Sequence, residues 1–224
     1  KHVTDNISHP AFDRNKILIT VHPEDPQVWL WLIPLADGLS SIGVVGADET
    51  ILSAGETPEA RLAHYVSTSG LMADILKDAE TFRPESEIIG FSANVKSLTG
   101  PRHALLGNAA EFLDPVFSSG VTIAMKSACL AAELVDSQLR GETVDWNKDY
   151  AEELQTGVEA FRACVNAWYD GLLQRLIFMG DERRGDEVTR HFTAILAGYA
   201  WDRKNPIVRD PKRFFKLIDR LTCD

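Results

Sequence analysis

β-Branched and aromatic runs over residues 17–22, 28–35 and 39–46 predict three strands near the start of the chain. Asp37-Gly38 lies between the last two and supplies the residue types that tolerate the positive φ of a tight hairpin. Thr57-Pro58 pairs a capping hydroxyl with a proline at the first helical position, which predicts a helix start there. Ser69-Gly70 divides that helix from a second, short one ending near Ala79, and residues 87–96 alternate as a further strand. The apolar run 103–106 ends at Gly107 and predicts a buried strand that stops where the backbone must turn.

The period then changes. From Gly120 to Leu139 the chain is almost wholly small and apolar, and its charges Lys126, Glu133, Asp136 and Arg140 fall on one thin stripe, the pattern of a buried helix. Beyond Trp146, the positions Tyr150, Leu154, Val158, Phe161, Val165, Trp168, Leu172 and Leu176 recur at helical spacing. They predict one long amphipathic helix, with Gly157 and Gly171 as places where it could loosen. Val188, Phe192, Ile195 and Tyr199 make a shorter stripe, and Asp210-Pro211 opens a last helix bearing Phe214, Phe215, Ile218 and Leu221. Such stripes read as core packing, so no substrate contact is assigned to them. The texture divides the chain into 1–100, strand-rich; 101–145, a turn and buried helix; and 146–224, helical. No Pro- or Ser/Gly-rich linker or internal repeat separates these regions.

Composition narrows the classes. A formal charge of −10 argues against nucleic acid or an anionic membrane as the main partner, and no apolar stretch has transmembrane length. The polar first residues hold no signal-peptide core, and Cys129, Cys164 and Cys223 are odd in number and widely spaced. Both features predict a cytoplasmic protein with reduced thiols and no structural metal. His2, His9, His22, His64, His103 and His191 lack ligand spacing and read mostly as surface or strand-edge residues. Neither a Gly-x-Ser-x-Gly elbow nor a phosphate-binding Gly-Lys-Ser/Thr loop occurs, and the charged cluster 181–186 reads as a solvated loop.

Two motifs carry candidate chemistry. In Gly107-Asn108-Ala109-Ala110-Glu111-Phe112-Leu113-Asp114-Pro115-Val116-Phe117-Ser118-Ser119-Gly120-Val121, small residues bound a strand end, a long turn and a helix start. Ser118, Ser119 and Gly120 fall in the first turn, where unpaired amides and the helix dipole favour an anion or an electron-rich ring edge. Gly120 has no side chain to block close approach; the plainer alternative is a capped helix after a proline turn. In Trp29-Leu30-Trp31-Leu32-Ile33-Pro34, alternation puts Trp29, Trp31 and Ile33 on one face of a strand and Val28, Leu30 and Leu32 on the other. Two large rings on one face would wall off a volume, although paired strand tryptophans also serve as cross-strand packing. The closing proline points to an edge or a turn.

Together these motifs resemble the flavin-dependent halogenases and their monooxygenase relatives, a family built on the fold of p-hydroxybenzoate hydroxylase. The resemblance runs from about residue 16 to 140. It implies an α+β fold with an antiparallel substrate-domain sheet and its helices, part of the second flavin-binding segment, and an all-helical C-terminal region. It also implies FAD, supplied reduced by a flavin reductase, and a halide ion. Reduced flavin, oxygen and halide would yield hypohalous acid for an electron-rich aromatic substrate, free or tethered to a carrier protein.

By the same resemblance Gly107, Asn108, Pro115, Ser118, Ser119, Gly120 and Val121 bind the flavin, and the amides of Ser119 and Gly120 hold the halide. Trp29 and Trp31 separate flavin from substrate. Asn108 stands where many relatives have Asp, and an amide can still bond a hydroxyl. Phe117 stands where tryptophan halogenases carry a functional glutamate, which leans toward the branch acting on phenols, pyrroles or carrier-tethered substrates.

The family's G-x-G-x-x-G turn does not occur, and Gly38, Gly43 and Gly46 have the wrong spacing for it. The family lysine lies upstream of the tryptophan motif, so Lys16, Lys96 and Lys126 do not inherit its role and the catalytic residue is unassigned. The expectation is therefore the C-terminal portion of a longer enzyme, inactive and weak in flavin binding by itself. The alternatives are a monooxygenase or prenyl-chain reductase of the same fold, and a non-catalytic piece that binds substrate or carrier protein.

Overall fold

A computed structural model describes residues 1–5, 8–178 and 186–222, in two compact units, Lys1–Gly90 and Phe91–Asp224. The first unit is built on strands β1 (His2–Thr4), β2 (Leu18–Val21), β3 (Trp29–Pro34), β4 (Leu39–Val45) and β5 (Thr81–Arg83). They form a five-stranded sheet in the order β2-β3-β4-β1-β5, with every neighbouring pair antiparallel. Asp37 and Gly38 both take positive φ in the β3–β4 connection, which Leu35 closes by donating its N–H to the Leu39 carbonyl. Pro34 therefore ends a central strand at a turn; it does not mark a sheet edge.

Helices α1 (Asp48–Ser53), α2 (Pro58–Thr68) and α3 (Leu71–Leu76) complete this unit. Thr57 caps α2 by accepting the Ala60 N–H, and Pro58 occupies its first turn. Val28, Leu30 and Leu32 share a buried cluster with Val3, Ile42, Leu62, Tyr65, Met72 and Ile75. Alternation thus commits one face of β3 to the helices and leaves Trp29 and Trp31 to the other. His22 is buried with its Nε2 2.8 Å from the Thr68 hydroxyl, so it is a core histidine and departs from the surface reading.

The second unit begins with β6 (Thr99–Gly100) and β7 (His103–Ala104), a short antiparallel pair. Residues 87–96 form no strand; their one ladder contact is an isolated bridge from Ala93 to Phe112. Ile88, Ile89 and Val95 remain 75%, 54% and 42% exposed, because alternation makes a strand only where a neighbour accepts its bonds and covers a face. The predicted strand 103–106 shortens to β7 for a related reason, with Leu106 exposed.

Helix α4 (Gly120–Leu139) has the expected bounds. The buried-helix reading does not hold: Ile123, Ser127 and Ala131 are buried, while Val121, Met125 and Leu139 are 71%, 65% and 83% exposed. The fully buried stripe is narrow: Ala124, Leu130 and Leu134 are half-buried beside it. The long helix also differs from expectation. It opens as a π-turn segment, Trp146–Glu152, continues as α5 (Glu153–Tyr169), and breaks at Gly171, where φ is +77°, before α6 (Leu172–Phe178). Gly157 does not loosen α5. A Cβ there would lie 2.2 Å from the Trp201 ring, so the glycine lets that ring reach the helix backbone.

Helices α7 (Asp186–Leu196), α8 (Pro206–Arg209) and α9 (Pro211–Thr222) follow. Phe214 and Ile218 of α9 are buried as expected, whereas Tyr199 is 65% exposed, because α7 ends before it and Gly198 turns at φ +90°. Residues 181–185 of the charged cluster, Cys223 and the Leu221 side chain lie outside the described residues. Cys129 and Cys164 are free thiols. Among the described residues no acidic, histidine or cysteine cluster could hold a metal, and no helix is long and apolar enough to cross a membrane.

Candidate flavin-motif site

The segment Gly107 to Val121 lies in the second unit as two short 3₁₀ turns followed by the start of α4. The first turn, Gly107–Ala109, begins where the backbone takes φ +54° at a buried glycine. The Gly107 N–H donates to the Ser127 hydroxyl at 3.0 Å, and that hydroxyl donates to the Ala124 carbonyl at 2.9 Å. A Cβ on Gly107 would meet the Ala124 Cβ at 3.2 Å, so close approach of turn and helix depends on the absence of that atom. Just upstream, the buried Tyr150 donates its hydroxyl to the Leu105 carbonyl and anchors the entry to the turn.

Asp114 caps the second turn, Pro115–Phe117, by accepting the Val116 N–H at 3.0 Å, and it accepts the Tyr169 hydroxyl at 2.7 Å. Burial raises the Asp114 carboxyl above its ordinary range, against the opposing effect of those two hydrogen bonds. Ser118 ends the turn at φ +50°, a left-handed conformation that costs a non-glycine residue about 1–2 kcal/mol. Its N–H donates to the Pro115 carbonyl, which tightens the turn against α4.

Helix α4 then starts without a side-chain cap. The four amides that open a helix have no intrahelical acceptor, so its first turn presents donors and the positive end of the dipole. Ser119 is buried, whereas Gly120 and Val121 are exposed. A Cβ built on Gly120 would find only the Asn108 Oδ1 nearby, at 3.9 Å. The fold therefore brings Gly107 and Asn108 of one turn beside the first turn of α4, with bare backbone at Gly120 and an amide side chain next to it.

Trp29 and Trp31 belong to the first unit, on the β3 face opposite its buried cluster. Their ring centroids are 6.0 Å apart, and Trp31 donates its indole N–H to the Ser41 hydroxyl at 3.2 Å. The Trp31 ring lies down on the sheet: a Cβ on Gly43, its partner across the ladder, would fall 2.1 Å from it. Gly43, read at first only as a glycine at the wrong spacing, is what makes room for that ring.

Thirty-one per cent identity over 145 residues relates the chain to the 1H-pyrrole-2-carbonyl-[peptidyl-carrier protein] chlorinase of Pseudomonas fluorescens, covering 64% of the chain and 31% of that protein. A flavin-dependent halogenase of Penicillium aethiopicum is 30% identical over 166 residues, covering 70% and 31%. Among solved structures, a flavoprotein/dehydrogenase from Cytophaga hutchinsonii superimposes with a TM-score of 0.85 at 35% identity, over 98% of the chain and 54% of its own length. The chain is related to the flavin-dependent halogenases. The fold agrees, since a flavin-dependent brominase superimposes over 98% of the chain and 54% of its own length, with a TM-score of 0.80 at 23% identity. No protein-family model matches. The chain spans about half the length of these solved structures and under a third of the curated halogenases.

Sequence reasoning located the turn from Gly107 to Val121 and missed what holds it. Arg162 on α5 reaches the buried Glu111 carboxylate at 2.9 Å and also bonds Asn94 at 3.0 Å. Tyr169 and Trp168 of the same helix meet Asp114 and Phe117. A polar residue in an apolar helix, such as Ser127, and a buried acid within a turn, such as Glu111, were the available signals. Their partners are distant in sequence, so neither signal named them.

Proposed function

We propose that this chain forms the part of a flavin-dependent halogenase-like oxidoreductase that holds one edge of FAD and a halide ion. The observation that carries the reading is the bare first turn of α4: uncapped, open at Gly120, and flanked by Asn108 and the left-handed Gly107. These residues fit such a ligand, because a Cβ at Gly120 would occupy otherwise open space and, among the described residues, no side-chain cap takes the amides. Bound reduced flavin would supply the activation of oxygen with which a halide is oxidised for transfer to an electron-rich aromatic substrate.

Within that reading, the Asn108 amide and the Gly107 backbone would hold the flavin's polyol edge, with Pro115, Ser118 and Val121 as its further binding residues. The Ser119 and Gly120 amides would hold the halide, and Trp29 and Trp31 would separate flavin from substrate. The Ser127–Gly107 bond and the α5 contacts at Glu111 and Asp114 fix the turn before any ligand arrives, which lowers the cost of ordering it on binding. The substrate class that the pyrrole chlorinase suggests is a small electron-rich ring, free or carrier-tethered, and a flavin reductase would supply the reduced cofactor.

A second reading keeps the flavin without the halide, as a monooxygenase or reductase. The 35% identity to the Cytophaga hutchinsonii flavoprotein favours it. Titration of the chain with FAD, followed by flavin fluorescence, tests the shared part. Gly120→Val should abolish binding without lowering the unfolding midpoint, and an equal affinity in that variant would reject the site. Adding bromide to the FAD complex separates the two readings: a halide site perturbs flavin absorbance saturably, and an unresponsive spectrum favours the second. Absence of any flavin affinity would favour a non-catalytic binding piece.

A further inference from the structure

Charge is distributed unevenly along this acidic chain. Residues 203–220 hold seven basic residues against two acidic ones, in a protein of net charge −10. Helix α9 concentrates them: Lys212, Arg213, Lys216 and Arg220 are exposed, and none of the described ion pairs neutralises Lys212, Arg213 or Lys216. The apolar side of α9 is already in use, since Phe214 and Ile218 are buried in the helical unit. What α9 offers outward is mostly cationic: the exceptions are Asp219, which pairs with Arg175, and Leu217, which is 55% exposed beside the row of Arg213 and Arg220.

Beside the lysine row runs a groove between α5, α6 and α9, whose apolar lining includes Ala163, Ala167 and Phe215. Lys212, Lys216 and Arg175 line it together with Asp170 and Asp219, and Arg175 pairs with Asp219 at 2.8 Å. A strip of exposed lysine and arginine with a partly apolar groove on one side and an exposed leucine on the other suits an acidic protein face that presents an apolar anchor. A membrane surface fits less well, because lipid would gain little more than Leu217 from a helix whose apolar stripe is buried. Nucleic acid fits less well again, since the rest of the chain would repel it.

We infer that the α9 face, centred on Lys212, Lys216 and Leu217, docks the acidic carrier protein that presents the tethered substrate. The inference rests on the carrier-tethered branch of the proposed function and adds the place of docking. Repulsion from the acidic remainder would steer such a partner to this strip and give binding a steep salt dependence.

The test uses the whole chain with a phosphopantetheine-bearing peptidyl-carrier protein loaded with pyrrole-2-carbonyl, followed by fluorescence anisotropy, with FAD binding measured on the same preparations. Binding should weaken at least tenfold in Lys212→Glu/Lys216→Glu and about threefold in Leu217→Ser, and should fall with added salt, while FAD affinity stays unchanged. Carrier binding that ignores the charge reversal would overturn the inference. So would absent carrier binding in a preparation that binds FAD, and this result leaves the flavin reading standing. The reverse pattern, with charge-sensitive carrier binding and no FAD affinity, would keep the docking face and sink the flavin reading. Charge-sensitive binding to anionic vesicles in place of the carrier would reassign the face to a membrane.

Discussion

Replacing Arg162 with methionine should destabilise the helical unit more than any other single change in its polar contacts. The Glu111 side chain is 3% exposed, one oxygen accepts from Arg162 at 2.9 Å, and the other has no hydrogen-bond partner. Arg162→Met leaves a buried carboxylate with no cation, a change that costs about 3–5 kcal/mol in comparable sites. Arg162 itself is 26% exposed, so water would reach the vacated position and the expected loss is near about 3 kcal/mol. The exposed Arg162–Glu159 pair adds only about 0.3–0.5 kcal/mol. Glu111→Met in the same chain removes the stranded charge, so the double variant should recover about 2 kcal/mol relative to Arg162→Met. Urea unfolding followed by far-UV circular dichroism measures all four corners of the cycle. A loss below about 1 kcal/mol for Arg162→Met, or a double variant no more stable than it, would refute the argument that this pair holds the turn.

Other expectations test separate contacts. Because burial raises the Asp114 carboxyl, the folded chain keeps that proton to higher pH than the unfolded chain, whose carboxyl titrates near about 4. The group's contribution to stability is therefore greatest at low pH and declines as pH rises through the raised folded value. Asp114→Asn retains a capping oxygen and should flatten this decline in unfolding measurements between acid and neutral pH; an unchanged slope would remove the burial explanation. Gly157→Ala should destabilise by about 1–2 kcal/mol, since the clash with Trp201 outweighs a helix-propensity gain of about 1 kcal/mol, and a raised melting temperature would show the ring moves freely. In a Cys223→Ser chain, iodoacetamide should label the exposed Cys129 at mildly alkaline pH. Cys164, 1% exposed with its thiol pushed up by burial to about 12, should react only on unfolding, and mass spectrometry of native protein showing both modified would contradict that burial.

The sequence by itself determined what local chemistry can fix. Asp37-Gly38 needed positive φ and took it, Thr57-Pro58 started α2, Gly171 ended α5, and β3 sorted Leu30 and Leu32 from Trp29 and Trp31 by alternation alone. The run from Gly107 to Val121 was legible as a turn and a helix start, because glycine, proline and serine there each restrict the backbone locally.

Tertiary structure decided whatever depended on a neighbour. Residues 87–96 had a strand's alternation and found only an isolated bridge, and α4 had a buried helix's composition with only Ile123, Ser127 and Ala131 fully buried. Gly43 read only as a glycine at the wrong spacing for a dinucleotide turn, and Gly157 as a place where a helix could loosen; in the structure Trp31 and Trp201 lie on them. The buried Glu111 found its cation 51 residues away. Hydrophobic periodicity records which side of an element can be buried; what buries it, and what a buried charge pairs with, is set by contacts distant in sequence.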